Sequence, residues 1–217
     1  MKVGTDAVLL SAWVNINNVN RILDIGSGSG VIALMLAQRS KENIHIDAVE
    51  IEHQDAMQLK ENILNSLWQN RITVCEIPIQ KFFPGMNYGL IVSNPPFFNN
   101  GFQPPDKKRL HARHTITLDF SELIQSVVRL LKSDGRFNVI LPFTEGLEFI
   151  ALAKLKSLYC SRQWSFRSRE EKPIERWLLE FKLDSTEKEE GEIIHYHKNE
   201  EWSEQYKMLT KDFYLKL

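Results

Sequence analysis

Only two of the 217 residues are cysteine, Cys75 and Cys160. One pair is too few for a disulfide framework and fits a reducing, cytosolic setting, where both read as plain buried thiols. No apolar run approaches the roughly 18 residues that a membrane span needs, so no membrane partner is expected. The N-terminus lacks the basic-then-apolar pattern of a secretory signal. Internal repeats and Gly/Ser linkers are missing, as is Cys/His spacing suited to zinc, so no metal is expected. Excess charge is missing too. The formal net charge is −1, which neither supports nor excludes a nucleic-acid partner. What remains is an ordinary globular composition, 43% hydrophobic and 25% charged. This length suits one domain over residues 1–217, able to bury roughly 70% of its unfolded surface without a covalent or metal staple.

Apolar runs alternate with segments of helical periodicity, which predicts an α/β sheet with helices on its faces. Leu9, Leu10 and Trp13 predict a short first helix. Strands are expected at Arg21–Asp24, Ile44–Glu50, Ile72–Cys75 and Leu90–Ser93. Helices are expected at Val31–Gln38 and at Glu52–Leu67, the second with Ala56, Leu59, Ile63 and Leu67 on one side. From Pro95 to about Thr117 the chain is irregular and too long for a routine connection, which points to a functional loop. Asp119 can cap a helix that reaches Leu131. Gly135 then ends a turn before a strand at Phe137–Leu141. A helix near Leu147–Leu158 is followed by two strands, Tyr159–Arg169 and Ile174–Leu183, expected as an antiparallel end to the sheet. Glu187–Glu204 holds seven glutamates against Lys188 and Lys198 and reads as a solvated surface segment. Phe213, Tyr214 and Leu215 are suited to dock back on the fold.

The first chemical signal is Asp24-Ile25-Gly26-Ser27-Gly28-Ser29-Gly30, between an expected strand and helix. Glycines there let backbone approach a ligand closely, and a helix start presents free N–H groups. Glu50 ends the next strand, 24 positions after Gly26. A carboxylate at that place can accept ribose hydroxyls of an adenosine-containing cofactor. The dinucleotide pattern G-x-G-x-x-G is matched at Gly26 and Gly28 but broken by Val31. The D-x-G-x-G-x-G run instead resembles the S-adenosylmethionine site of class I methyltransferases.

The second signal is Asn94-Pro95-Pro96-Phe97, following the expected strand that ends at Ser93. Two prolines fix φ, remove two backbone donors and push Asn94 toward an extended conformation. The Asn94 side-chain oxygen and a stiff neighbouring carbonyl make a pair of acceptors suited to an NH₂ group. Phe97 can stack on a flat group. An amine conjugated to a ring is a poor nucleophile, and two acceptors on its hydrogens favour the pyramidal geometry that frees its lone pair. Catalysis is then mainly positioning and electrostatics.

Together, Asp24–Gly30, Glu50 and Asn94–Phe97 resemble the amino-methyltransferase branch of the class I S-adenosylmethionine-dependent family. The likeness covers nearly the whole chain and is greatest to the tRNA1(Val) (adenine-37 N6)-methyltransferase group. Met1–Asp6 followed by Val8, Leu9 and Leu10 is similar to that group's opening motif. Ala112-Arg113-His114 is similar to its substrate loop, and Asp212–Leu215 to its ending. Members carry residues before the Lys-Val-Gly-Thr-Asp run, so an upstream segment is expected here. The resemblance implies a Rossmann-like α/β fold, with about seven mostly parallel strands, helices on both faces and the last strand antiparallel. It implies S-adenosylmethionine over Asp24, Gly26, Ser27, Gly28 and Gly30, with Glu50 and Ile51 at the ribose. Thr5 and Asp6 would close the methionine side. Pro78 stands where many relatives have an adenine-binding Asp, so backbone and apolar packing near Ile79 are expected instead. Asn94, Pro95, Pro96 and Phe97 would be catalytic, and the product S-adenosylhomocysteine.

Local charge bears on the acceptor. Lys107, Lys108, Arg109 and Arg113 stand against Asp106, with His111 and His114 interleaved. Such a loop beside a catalytic strand end suits phosphates, and His or Phe can stack on a splayed base. Lys107, Lys108, Arg109, Arg113 and His114 are therefore the expected tRNA contacts. A second basic group comprises Arg162, Arg167, Arg169, Lys172 and Arg176. A base must leave its stack to reach the Asn-Pro-Pro-Phe turn, which favours a single-stranded loop such as the anticodon loop. Other readings stay open at this point. The same tetrapeptide serves guanine-N2 rRNA methyltransferases, and a Tyr-ending variant serves protein glutamine. A non-catalytic RNA-binding protein of this fold would not need the intact motifs. A nicotinamide oxidoreductase is disfavoured by Val31.

Overall fold

The computed structural model describes residues 4–96, 119–198 and 200–214. Short apolar runs, sealed by helices on both sides, become strands β1 (Arg21–Ile25), β2 (His45–Glu50), β3 (Ile72–Glu76) and β4 (Tyr88–Ser93). Longer strands follow: β5 (Leu131–Pro142), β6 (Tyr159–Arg169), β7 (Arg176–Lys182) and β8 (Glu189–Tyr196). The helices are α1 (Thr5–Trp13), α2 (Val31–Arg39), α3 (His53–Leu64), α4 (Phe120–Leu130), α5 (Phe143–Lys154) and α6 (Glu204–Thr210). All strands join one sheet in the order β3-β2-β1-β4-β5-β7-β6-β8. Every pairing is parallel except those of β7, which runs antiparallel to β5 and β6.

Alternate residues of the strands feed two cores. On one face Ile22, Ile46, Leu90 and Val92 pack with Leu9 and Leu10 of α1, Leu36 of α2 and Leu59 of α3. On the other, Leu23, Ile91 and Val139 pack with Leu123 and Val127 of α4 and Phe149 of α5. Phe149 meets Phe181 edge-on at 5.4 Å and lies 6.0 Å from Phe137. At the opposite end from the candidate site, Tyr88 donates its hydroxyl to Asp47 at 2.7 Å, while Arg21 grips the same carboxylate at 2.7 and 3.1 Å. Three adjacent strands are thereby tied by a buried, satisfied polar group.

The expected α/β architecture is present, with several revisions. Asp119 caps α4 as expected, accepting from the Ser121 amide at 3.3 Å. Helix α3 stops at Leu64, so Ala56, Leu59 and Ile63 are buried whereas Leu67 is 92% exposed. Helix α5 starts four residues early, directly after Pro142, whose fixed φ suits a helix entry. Strand β5 begins at Leu131 because residues 131–136 continue along β4 through an irregular register. The expected turn at Gly135 is part of that strand. A Cβ there would lie 2.9 Å from the Tyr88 carbonyl.

The largest revision concerns the acidic segment. Glu189–Tyr196 forms an eighth strand, parallel to β6, while the seven glutamates of the segment stay exposed as expected. Its acids meet the second basic group: Arg167 pairs with Glu192 at 2.6 Å and Arg162 with Glu189 at 3.4 Å, and Arg169 pairs with Glu200. The C-terminal aromatics dock as expected for Tyr214, whose ring lies 4.9 Å from Trp202. Leu215 lies outside the described residues. Both cysteines are free and half-buried, and burial raises each thiol, Cys160 to about 12. Among the described residues no helix is long and apolar enough to cross a membrane.

Candidate active site

The strand order reverses between β1 and β4, and open α/β sheets bind ligands at such a switch point, beyond the carboxyl ends of the strands. That placement joins the two sequence motifs. Ile25, which leads into the glycine turn, pairs with Ser93, which leads into Asn94. The Ser93 hydroxyl donates to the Ile25 carbonyl at 2.9 Å and clamps the two strand ends together. Sequence reasoning passed over Ser93, because nothing local marks it.

The turn itself is built from left-handed glycines, with φ of +70° at Gly26, +53° at Gly28 and +88° at Gly30. It is tied down by amides of Gly26 and Ser27 donating to the Val49 carbonyl at 2.9 and 3.1 Å. At Gly26 a Cβ would enter open space beside the cleft. At Gly30 it would lie 2.4 Å from Leu59 Cδ1. The first glycine keeps a surface low, and the last allows close packing of α3.

Glu50 organises this region. Its Oε2 accepts from the Gly28 amide at 2.8 Å, and its Oε1 accepts from the amides of Ile51 and Glu52 at 2.8 and 2.9 Å. Asp24 is fully buried beneath the turn. Among the described residues neither of its carboxyl oxygens makes a hydrogen bond of ordinary geometry, although Ser27 and the Ala33 backbone lie near enough to favour the charged form. Burial pushes the Asp24 carboxyl up to about 7, with the charge of Glu50 adding to the rise.

A cleft of about 600 Å³ lies over these elements. Its walls include Gly26, Ser27, Gly28, Glu50, Ile51, Ile79, Asn94, Pro95 and Pro96. Nine sequence-predicted residues therefore come together. Thr5, Asp6, Asp24 and Gly30 are not among the lining residues. Asp6 is bound to Arg176 at 2.9 Å, and Thr5 is exposed. Gly4 and Ala7 of the same segment do line the cleft. Phe97, Lys107, Lys108, Arg109, Arg113 and His114 lie outside the described residues. Ile77, Pro78 and Gln80 form the wall next to Ile79, in keeping with backbone and apolar packing near that position. Glu52 and Asp55 were not foreseen as lining residues. Their only signal was proximity to Glu50 at the start of α3.

Asn94 completes the arrangement. Its Oδ1 is buried and has no hydrogen-bond partner among the described residues. A buried acceptor left open costs about 1–3 kcal/mol unless a ligand satisfies it. Pro95 is buried beside it and has no amide to offer.

The model of the methyltransferase small domain family matches residues 2–157. A tRNA1(Val) (adenine(37)-N6)-methyltransferase from Histophilus somni (strain 129Pt) is 41% identical over 217 residues, covering 99% of this chain and 91% of that protein. The chain belongs to the tRNA1(Val) (adenine(37)-N6)-methyltransferase family. Members from Pectobacterium carotovorum and Trichodesmium erythraeum are 42% and 40% identical, covering 88% and 92% of their own lengths and 99% and 100% of this one. Among solved structures, a predicted O-methyltransferase from Agrobacterium tumefaciens matches with a TM-score of 0.74 at 18% identity, over 95% of this chain and 96% of that one. A glycopeptide N-methyltransferase complexed with S-adenosylmethionine matches with a TM-score of 0.62 at 12% identity, over 84% and 100%. These neighbours share the class I methyltransferase fold with this family member.

Proposed function

We propose that this protein methylates the exocyclic N6 amine of adenine 37 in the anticodon loop of a tRNA, using S-adenosylmethionine. One observation carries the reading: Asn94, which lines the cleft that the glycine turn forms, holds a buried carboxamide oxygen that has no hydrogen-bond partner among the described residues. The family membership supports the same acceptor.

The residues present fit the cofactor. Gly26 leaves space where any other side chain would intrude. The apolar wall at Ile51 and Ile77–Ile79 suits an adenine ring. Glu50 suits a ribose hydroxyl. Three backbone amides already occupy its two oxygens, which leaves about one acceptor site for a ligand. Asp24 supports the turn from below, and Thr5 and Asp6 sit on the segment whose Gly4 and Ala7 wall the methionine side. When bound, S-adenosylmethionine supplies an electrophilic methyl group.

Asn94 Oδ1 accepts one N6 hydrogen and the Pro95 carbonyl the other. The prolines hold both acceptors stiffly, so the amine is oriented before reaction rather than during it. Phe97 stacks on the target ring, and Lys107, Lys108, Arg109, Arg113 and His114 hold phosphates and neighbouring bases. A carboxamide is too weakly basic to keep a proton, so the surplus proton leaves to water. The setting we propose is the cytoplasm, where both free thiols stay reduced.

The test is radiolabelled S-adenosylmethionine with bulk tRNA lacking the modification, followed by nucleoside analysis. Label in N6-methyladenosine is expected. Label in N2-methylguanosine, or in protein alone, would overturn the acceptor while leaving the cofactor reading intact. Cofactor binding without transfer to any acceptor would favour a non-catalytic RNA-binding role.

A further inference from the structure

We propose that Arg176 is a positioning residue for the cofactor cleft, acting through Asp6 as a latch on the first turn of α1. The proposal rests on the reading of the cleft as a cofactor site.

Gly4 and Ala7 form part of the cleft wall. They belong to the more exposed start of their helix, where Ala7 is only partly buried against the core. The buried residues of α1 begin only at Val8. Gly4, the residue before the helix, supplies no side-chain cap. The first backbone bond, Val8 amide to Gly4 carbonyl, is long at 3.4 Å. The far end of the helix is well held, with Arg39 donating to the carbonyls of Ser11 and Val14 and Arg162 lying 4.2 Å over the Trp13 ring.

The acidic side chain of the first turn binds another element. Asp6 Oδ2 accepts from Arg176 Nε at 2.9 Å, across 170 residues of sequence. Arg176 is well placed to anchor it. It opens β7, in register with Pro142 of β5 and Phe166 of β6, and its Nη1 donates to the Glu175 carbonyl at 2.9 Å. A guanidinium braced by a second bond loses less freedom on forming the first. The acid also stands where the helix dipole favours a negative group. The latch thus joins the wall of the cofactor cleft to the start of β7, beside the end of β5. Asp6, expected from the family resemblance as a direct cofactor contact, acts instead through the wall that it holds.

Both side chains are partly exposed, 32% for Arg176 and 22% for Asp6, so solvent weakens the pair. The expected effect is a modest rise of about 3- to 5-fold in the dissociation constant for S-adenosylmethionine. The experiment is calorimetric titration of the full chain with S-adenosylmethionine, for wild type, Arg176→Ala, Asp6→Asn and the double variant. It is read beside thermal midpoints and steady-state kinetics. A latch predicts that each single variant raises the dissociation constant, that the double loses no more than either, and that kcat at saturating cofactor stays within about 2-fold. Arg176→Lys, which keeps the charge without the fork, should recover part of the loss.

Additive losses, or unchanged affinity in the single variants, would overturn the latch and leave the cleft reading standing. A fall in thermal midpoint without a change in affinity would also overturn it, as the mark of a merely structural pair. A wild-type protein that fails to bind S-adenosylmethionine would sink the cleft reading itself and the latch with it.

Discussion

Replacing Gly30 with alanine should destabilise the protein by about 3 kcal/mol. The backbone there has φ +88° and ψ 13°, a left-handed conformation that costs an L-residue about 1–2 kcal/mol. The new methyl would also lie 2.4 Å from Leu59 Cδ1. Leu59 is fully buried between α3 and the sheet, so its displacement adds about 1–3 kcal/mol. The reduced freedom of the unfolded chain returns about 0.4–1 kcal/mol. Gly26→Ala is the matched control. It has the same backbone penalty at φ +70° but meets nothing within 4 Å, so it should lose only about 1 kcal/mol. Urea titrations of both variants check the difference, and the Gly30→Ala thermal midpoint should fall by about 6–12 °C. Gly30 does not line the cleft whereas Gly26 does, so cofactor affinity should suffer more in the less destabilised variant. Equal destabilisation of the two would refute the role assigned to the Leu59 contact. A Gly30→Ala loss near zero would refute the left-handed turn.

The remaining predictions concern Asn94 and Glu50 of the cleft and Asp24 beneath it. Asn94→Ala should lower methyl transfer by at least about 100-fold while cofactor affinity changes little, because the lost acceptor serves only the reacting amine; equal loss of both would assign Asn94 to the cofactor. Glu50→Gln should weaken cofactor binding and lower stability by about 1–3 kcal/mol, since an amide NH₂ then faces backbone N–H donors; an unchanged urea midpoint would contradict that network. Asp24 has a folded-state pKa of about 7 because burial raises it. That value exceeds the unfolded one of about 4, so the native state keeps a proton that the unfolded chain has lost within this window. Stability from this group therefore falls as pH rises from about 4 to 7 and levels off above. Asp24→Asn should flatten that slope and stabilise the protein at pH 8, and a urea-midpoint profile that keeps the slope would refute the assignment.

The chemistry-bearing residues were legible because each is dictated locally. A left-handed turn wants glycine at Gly26, Gly28 and Gly30 whatever lies around it. Paired prolines stiffen Asn94–Pro96 without help from distant chain. Glu50 was readable as a strand end, although its engagement by three amides was not, since those amides become convergent only when the turn folds over β2. Helix limits were less legible. Leu67 continues the apolar spacing of α3, but the helix stops three residues before it and leaves it in solvent.

The sequence by itself determined the α/β order of elements, the glycine turn, the proline-stiffened Asn94 and the acid that follows the second strand. These depend on backbone preferences and apolar spacing over a few residues. Tertiary structure alone decided the rest. It turned an acid-rich segment into strand β8, because Arg162 and Arg167 of β6 supply the opposite charge from the neighbouring strand. It drew Asp6 to Arg176. It placed Ser93 against Ile25, and so Asn94 beside the glycine turn. Each of those outcomes depends on which strand lies next to which, and strand adjacency is a property of the whole sheet.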